Sequence, residues 1–117
     1  MKETTREALE ASIVHWKAVA QAPDPRLVYI GCSSCALCML FKRDDGNDCY
    51  DCPVMARTGL VWCKKTPYGA AMDALRAWQT ALAMGNRGLR RDDGTAFRAA
   101  ARAEIEFLES LRDPPAA

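Results

Sequence analysis

Apolar residues recur at helical spacing in three places along the chain. Leu9, Ile13, Trp16 and Ala20 draw one stripe through residues 5–21. Ala71, Leu75, Trp78 and Leu82 draw a second through 67–84, and Phe97, Ala101, Ile105 and Leu108 a third through 95–111. Steps of three and four put each set on one face of a helix. The polar residues between them supply the ends. Thr4 or Thr5 is placed to cap the first helix, with Glu7 available for a capping box, and Pro23 and Pro25 close it. Thr66-Pro67 predicts the second start, because a proline at the first helical position gives up only an amide hydrogen that had no partner there. Gly85, Asn86 and Gly88 break that helix; Asp93 or Thr95 caps the third, and Asp113-Pro114-Pro115 ends it.

Between the first two stripes the helical period is lost. Leu27-Val28-Tyr29-Ile30 and Gly59-Leu60-Val61-Trp62 are short apolar runs that predict extended segments, able to pair as a two-stranded ribbon. Ser33 or Ser34 caps a short helix carrying Cys35, Leu37, Cys38, Leu40 and Phe41, and Asp44-Asp45-Gly46-Asn47-Asp48 forms a turn. The expected fold is mainly α. One domain, 1–117, is built from three longer amphipathic helices, with a cysteine-rich metal-binding insert at 32–66.

That insert holds all six cysteines, spaced Cys32-x2-Cys35-x2-Cys38-x10-Cys49-x2-Cys52-x10-Cys63. Two CxxC units across a short turn set four thiolates toward one tetrahedral centre, which suits zinc and leaves no coordination position for water. The candidate ligands are four of Cys35, Cys38, Cys49, Cys52 and Cys63. Cys35, Cys38 and Cys52 come first, with Cys49 or Cys63 completing the set. Cys63 rivals Cys49 because it follows an apolar run and precedes Lys64 and Lys65, whose charge offsets a thiolate. Cys32 is the expected spare, a small buried side chain. An iron–sulfur cluster is the alternative, since Cys32-x2-Cys35-x2-Cys38 followed by Cys52-Pro53 approaches a ferredoxin run. There, however, the fourth cysteine follows the third by about three residues, whereas here Cys49 follows Cys38 after ten. A thiol redox role lacks the strands that normally present a CxxC pair.

The elements Cys35-Ala36-Leu37-Cys38, Cys49-Tyr50-Asp51-Cys52-Pro53-Val54, Thr58-Gly59 and Cys63-Lys64-Lys65-Thr66-Pro67-Tyr68 resemble a pattern of CxLC, CxxCP and Cx2TPY. That pattern is shared by small uncharacterised cysteine-rich proteins of tailed bacteriophages and prophages. The resemblance covers about the middle third of the chain. It implies a phage or prophage setting and a participating Cys63, leaves Cys32 outside the shared pattern, and implies no activity.

Charge adds one more reading. The net charge of the 117 residues is +1, which gives no global pull toward nucleic acid. Yet between Arg57 and Arg91 seven basic side chains stand against Asp73 alone, and Lys64, Lys65, Arg87, Arg90 and Arg91 are candidates for a phosphate-facing patch. Pairing with the acidic stretches on either side is the plainer account of the same charges. No enzymatic constellation is visible: His15 is the only histidine, and it sits on a helix edge beside Trp16. The first residues read Met-Lys-Glu-Thr-Thr-Arg-Glu, without the apolar core of a secretory signal, and no run approaches the ~20 apolar residues of a membrane span. The expectation is a cytoplasmic zinc-binding interaction module without a small-molecule substrate. Its partner is another protein or a second copy met through the alanine-rich helix Tyr68–Met84, or nucleic acid through the basic patch.

Overall fold

In a computed structural model of the chain, the described residues are 1–31, 34–41, 52–59, 63, 66–85 and 92–112. They form five α-helices: α1 (Glu3–Val19), α2 (Ala36–Phe41), α3 (Pro53–Thr58), α4 (Pro67–Ala83) and α5 (Thr95–Glu109). A 3-10 turn, Pro25–Leu27, lies between α1 and α2. There is no β-strand among them.

The three long helices are the ones the apolar period predicts, and they supply most of the core. Leu9, Ile13 and Trp16 of α1, Ala71, Leu75 and Trp78 of α4, and Phe97, Ala101, Ile105 and Leu108 of α5 form one cluster with Leu37, Cys52 and Val54. α5 is the middle element, packing against α4 along one side and α1 along the other. Trp78 stacks on Phe97 with ring centroids 6.0 Å apart, and Trp16 meets Tyr68 edge to face at 6.1 Å. On α4 the inward position near the C-terminus belongs to Ala81, while Leu82 is half-buried.

Helix ends depart from expectation in physically readable ways. α1 starts at Glu3 behind Lys2, with no side-chain cap, so Thr4 and Thr5 lie inside the helix and the capping box does not form. Thr5 is buried there, on the α1 face that carries Leu9 and Ser12. The helix closes at Val19 in a tightened turn, Gln21 and Ala22 bonding back three residues to Ala18 and Val19, before Pro23 excludes further helix. At α4 the expected cap is present: Thr66 Oγ1 accepts the Tyr68 amide at 3.2 Å and donates to the Cys63 carbonyl at 2.7 Å. α5 has Gly94 at the cap position with φ +86°, and Asp93 instead accepts the Thr95 amide and hydroxyl. It ends at Glu109, two residues short of the predicted 111.

The ribbon is not present among the described residues. Leu27 ends the 3-10 turn and Val28 is extended but unpaired in any ladder, because a short apolar run becomes a strand only against a partner. Gly59 does not open a strand; it is the left-handed C-cap of α3, with φ +73°. α3 itself fits the proline-first, glycine-last asymmetry of helix ends, with Pro53 at its start and Gly59 just past its end. Arg57 on α3 bonds the Ser110 carbonyl at 3.0 Å, so a cation satisfies the C-terminal end of α5 and ties the insert to the bundle. The expected turn at 44–48, the run 60–62 and the break after Gly85 lie outside the described residues.

Candidate metal centre

Cys35, Cys38, Cys52 and Cys63 line a single cavity of about 90 Å³. They reach it from the start of α2, the start of α3 and the turn before α4. No disulfide joins the four thiols.

Local sequence accounts for each placement. Cys35 precedes the first residue of α2, where a side-chain acceptor is wanted, and its sulfur takes the Cys38 amide at 3.4 Å. The predicted serine cap is thus a cysteine cap. Ser12, buried on the apolar stripe of α1, accepts the Leu37 amide at 3.3 Å and lies 3.8 Å from Cys35 Sγ. Cys52 precedes Pro53, which starts α3 and fixes the thiol at its mouth. Cys63 has φ +57°, a left-handed conformation uncommon for a side-chain-bearing residue, and the Thr66 hydroxyl holds its carbonyl in place.

The electrostatics are those of an acid cluster. Hydrogen bonding from the Cys38 thiol, reinforced by the Cys38 amide, the Ser12 hydroxyl and the Leu37 amide, outweighs burial and brings the Cys35 thiol down to about 6. Glu104, on α5, lines the same cavity and is only 2% exposed. Burial pushes its carboxyl up to about 8, and the negative charge of Cys35 pushes the same way against a hydrogen bond from the Tyr68 amide. Its Oε2 has no hydrogen-bond partner among the described residues. His15 also reaches the cavity wall, donating Nε2–H to the Tyr29 carbonyl. No lysine or arginine among the described residues lines the space.

Among the described residues no three His, Cys, Asp or Glu side chains stand close enough together to hold an ion as they are placed. The cavity therefore brings Cys35, Cys38, Cys52 and Cys63 to one wall-lined space without drawing their sulfurs into a coordination shell. The fifth candidate ligand, Cys49, and the basic residues Lys64, Lys65, Arg87, Arg90 and Arg91 lie outside the described residues. Ser12 and Glu104 were not expected from sequence. Each is a polar residue set in a buried helical register, Ser12 between Leu9 and Trp16, Glu104 between Ala101 and Leu108, and that mismatch is the signal that marks them.

Comparison of the chain with protein-family models, with curated proteins and with solved structures finds no match. No helix among the described residues is long and apolar enough to cross a membrane.

Proposed function

We propose that this chain is a small zinc-binding protein in which the ion ties the cysteine-rich segment to the helical bundle, the assembly serving as an interaction module. The observation that carries the reading is the convergence of four thiols from three separate stretches of chain on one cavity. The thiols share the cavity with the Glu104 carboxyl, and a divalent cation is the partner such a set of ionisable acids suits. The low-lying Cys35 thiol favours the same partner, because metal binding requires the thiolate and displaces less proton from a group already acidic. Protein ligands filling every position leave no site for water, so the role is cohesion and presentation of a surface, not hydrolysis. The likeness to phage and prophage proteins adds a setting to this reading and no activity.

The test is elemental analysis and an ultraviolet-visible spectrum of the chain purified without oxygen and without added metal, together with a thiol titration. One zinc per chain, no visible absorption and protected thiols are expected. Iron with sulfide and a brown chromophore would replace zinc by a cluster, and a metal-free chain with all thiols titrating would remove the metal reading.

A further inference from the structure

Glu104 is the one buried carboxylate of the described core, and burying such a group without a counter-charge is costly enough that proteins pair it, protonate it or give it to a metal. Tyr68 offers it a backbone amide, and Oε2 has no hydrogen-bond partner among the described residues. The helix gives the side chain little choice. Ala101, Ile105 and Leu108 on the same face of α5 are all buried against the core, so Glu104 is held in the apolar register and not at a solvated edge. What shares the space is a set of thiols, Cys35 nearest in effect, with no lysine or arginine among the described lining residues.

We propose that Glu104 is an oxygen ligand of the ion, joining Cys35 and two further thiolates in a site of three sulfurs and one oxygen. This deepens the zinc reading and rests on it. Charge is compatible with the exchange: three thiolates and one carboxylate carry the same total as four thiolates, and carboxylate oxygen binds zinc at about 2.0–2.2 Å. As placed, no three of these side chains stand close enough together to hold an ion, so binding would have to draw Glu104 and the thiols together.

The experiment is cadmium NMR on the full chain loaded with one equivalent of cadmium, which reports the number of sulfur ligands directly. A single resonance in the range of three sulfurs and one oxygen is expected, and one in the all-sulfur range would overturn the proposal without touching the metal reading. Failure of the chain to bind cadmium or zinc would overturn both. Glu104→Gln, nearly isosteric and uncharged, is expected to move the resonance and weaken zinc binding by about tenfold or more. An unchanged resonance and affinity in a variant with wild-type circular dichroism would overturn the assignment of Glu104.

Discussion

The Ser12 hydroxyl, buried on α1, accepts the Leu37 backbone amide at 3.3 Å and sits 3.8 Å from the Cys35 sulfur. One oxygen thus docks the N-terminal turn of α2 on the bundle and supports the Cys35 thiolate. Ser12→Ala leaves the Leu37 amide buried without its acceptor, a loss of about 1–3 kcal/mol. It also removes one of the groups that lower the Cys35 thiol. Denaturant unfolding should show the destabilisation, and the midpoint of Cys35 alkylation against pH should move upward from about 6. A stability loss with an unmoved midpoint would separate docking from thiolate support.

Glu104 gives the metal-free chain a distinctive dependence on pH. Its carboxyl rises from an ordinary 4.5 to about 8 on folding. A group raised in this way contributes stability that is complete below 4.5 and is lost as pH climbs through about 8. Cys35, lowered from 9 to about 6, runs in the opposite sense, adding stability between those limits as pH rises. His15 and the Cys38, Cys52 and Cys63 thiols share the cavity, so the difference between wild type and Glu104→Gln reports the carboxyl together with its coupling to Cys35. Metal-free Glu104→Gln is expected to match wild type near pH 4 and to exceed it increasingly toward pH 8. A difference that stays flat across that window would mean the carboxyl is solvated.

Helices α1, α4 and α5 were legible because their cores depend on a period that survives in the bare sequence, and Thr66-Pro67 marked a boundary that the structure keeps. The cysteine segment was less so. Its elements are a turn or two long, and their form is set by what they touch: α2 by Ser12, α3 by the Arg57 contact with Ser110, Cys63 by Thr66. Spacing selects Cys35, Cys38, Cys49 and Cys52, with Cys63 as the rival to Cys49; Cys35, Cys38, Cys52 and Cys63 line the cavity, and Cys49 lies outside the described residues. Spacing could not say that Glu104, far along the chain, would join them, because a glutamate on an amphipathic helix is ordinarily solvent-facing. Leu27–Ile30 failed as a strand for the same reason in reverse, its β-forming residues having no neighbour to pair with among the described residues.

Two glycines separate backbone strain from steric conflict. Gly59 has φ +73° with open space around its missing side chain, whereas Gly94 has φ +86° and a Cβ there would stand 2.6 Å from Trp78 Cζ2. Gly59→Ala is expected to cost about 1 kcal/mol, the conformational penalty alone. Gly94→Ala must also displace an indole packed between Phe97 and the Arg98 guanidinium, so its cost should be larger and tryptophan emission should shift. Equal losses in the two variants would mean that the Trp78 ring yields freely.

Removing zinc tests how the two parts of the fold depend on each other. The packing of Leu9 and Ile13 with Leu75, Trp78, Phe97 and Ala101 draws only on α1, α4 and α5, so those helices do not need the ion to find a core. On the zinc reading the insert leans on the ion more heavily: α2 and α3 are six residues each, too short to persist by themselves. A chelator added to the zinc-loaded chain should therefore lower Tm by the linkage stabilisation, ~4 kcal/mol where free zinc stands about a thousandfold above Kd. Most of the far-ultraviolet helical signal should remain at room temperature. Proteolysis should then open sites in α2 and α3 and spare the three long helices. Complete loss of helicity on chelation would instead make the ion a condition for the bundle itself, as in zinc-dependent domains that have no separate core.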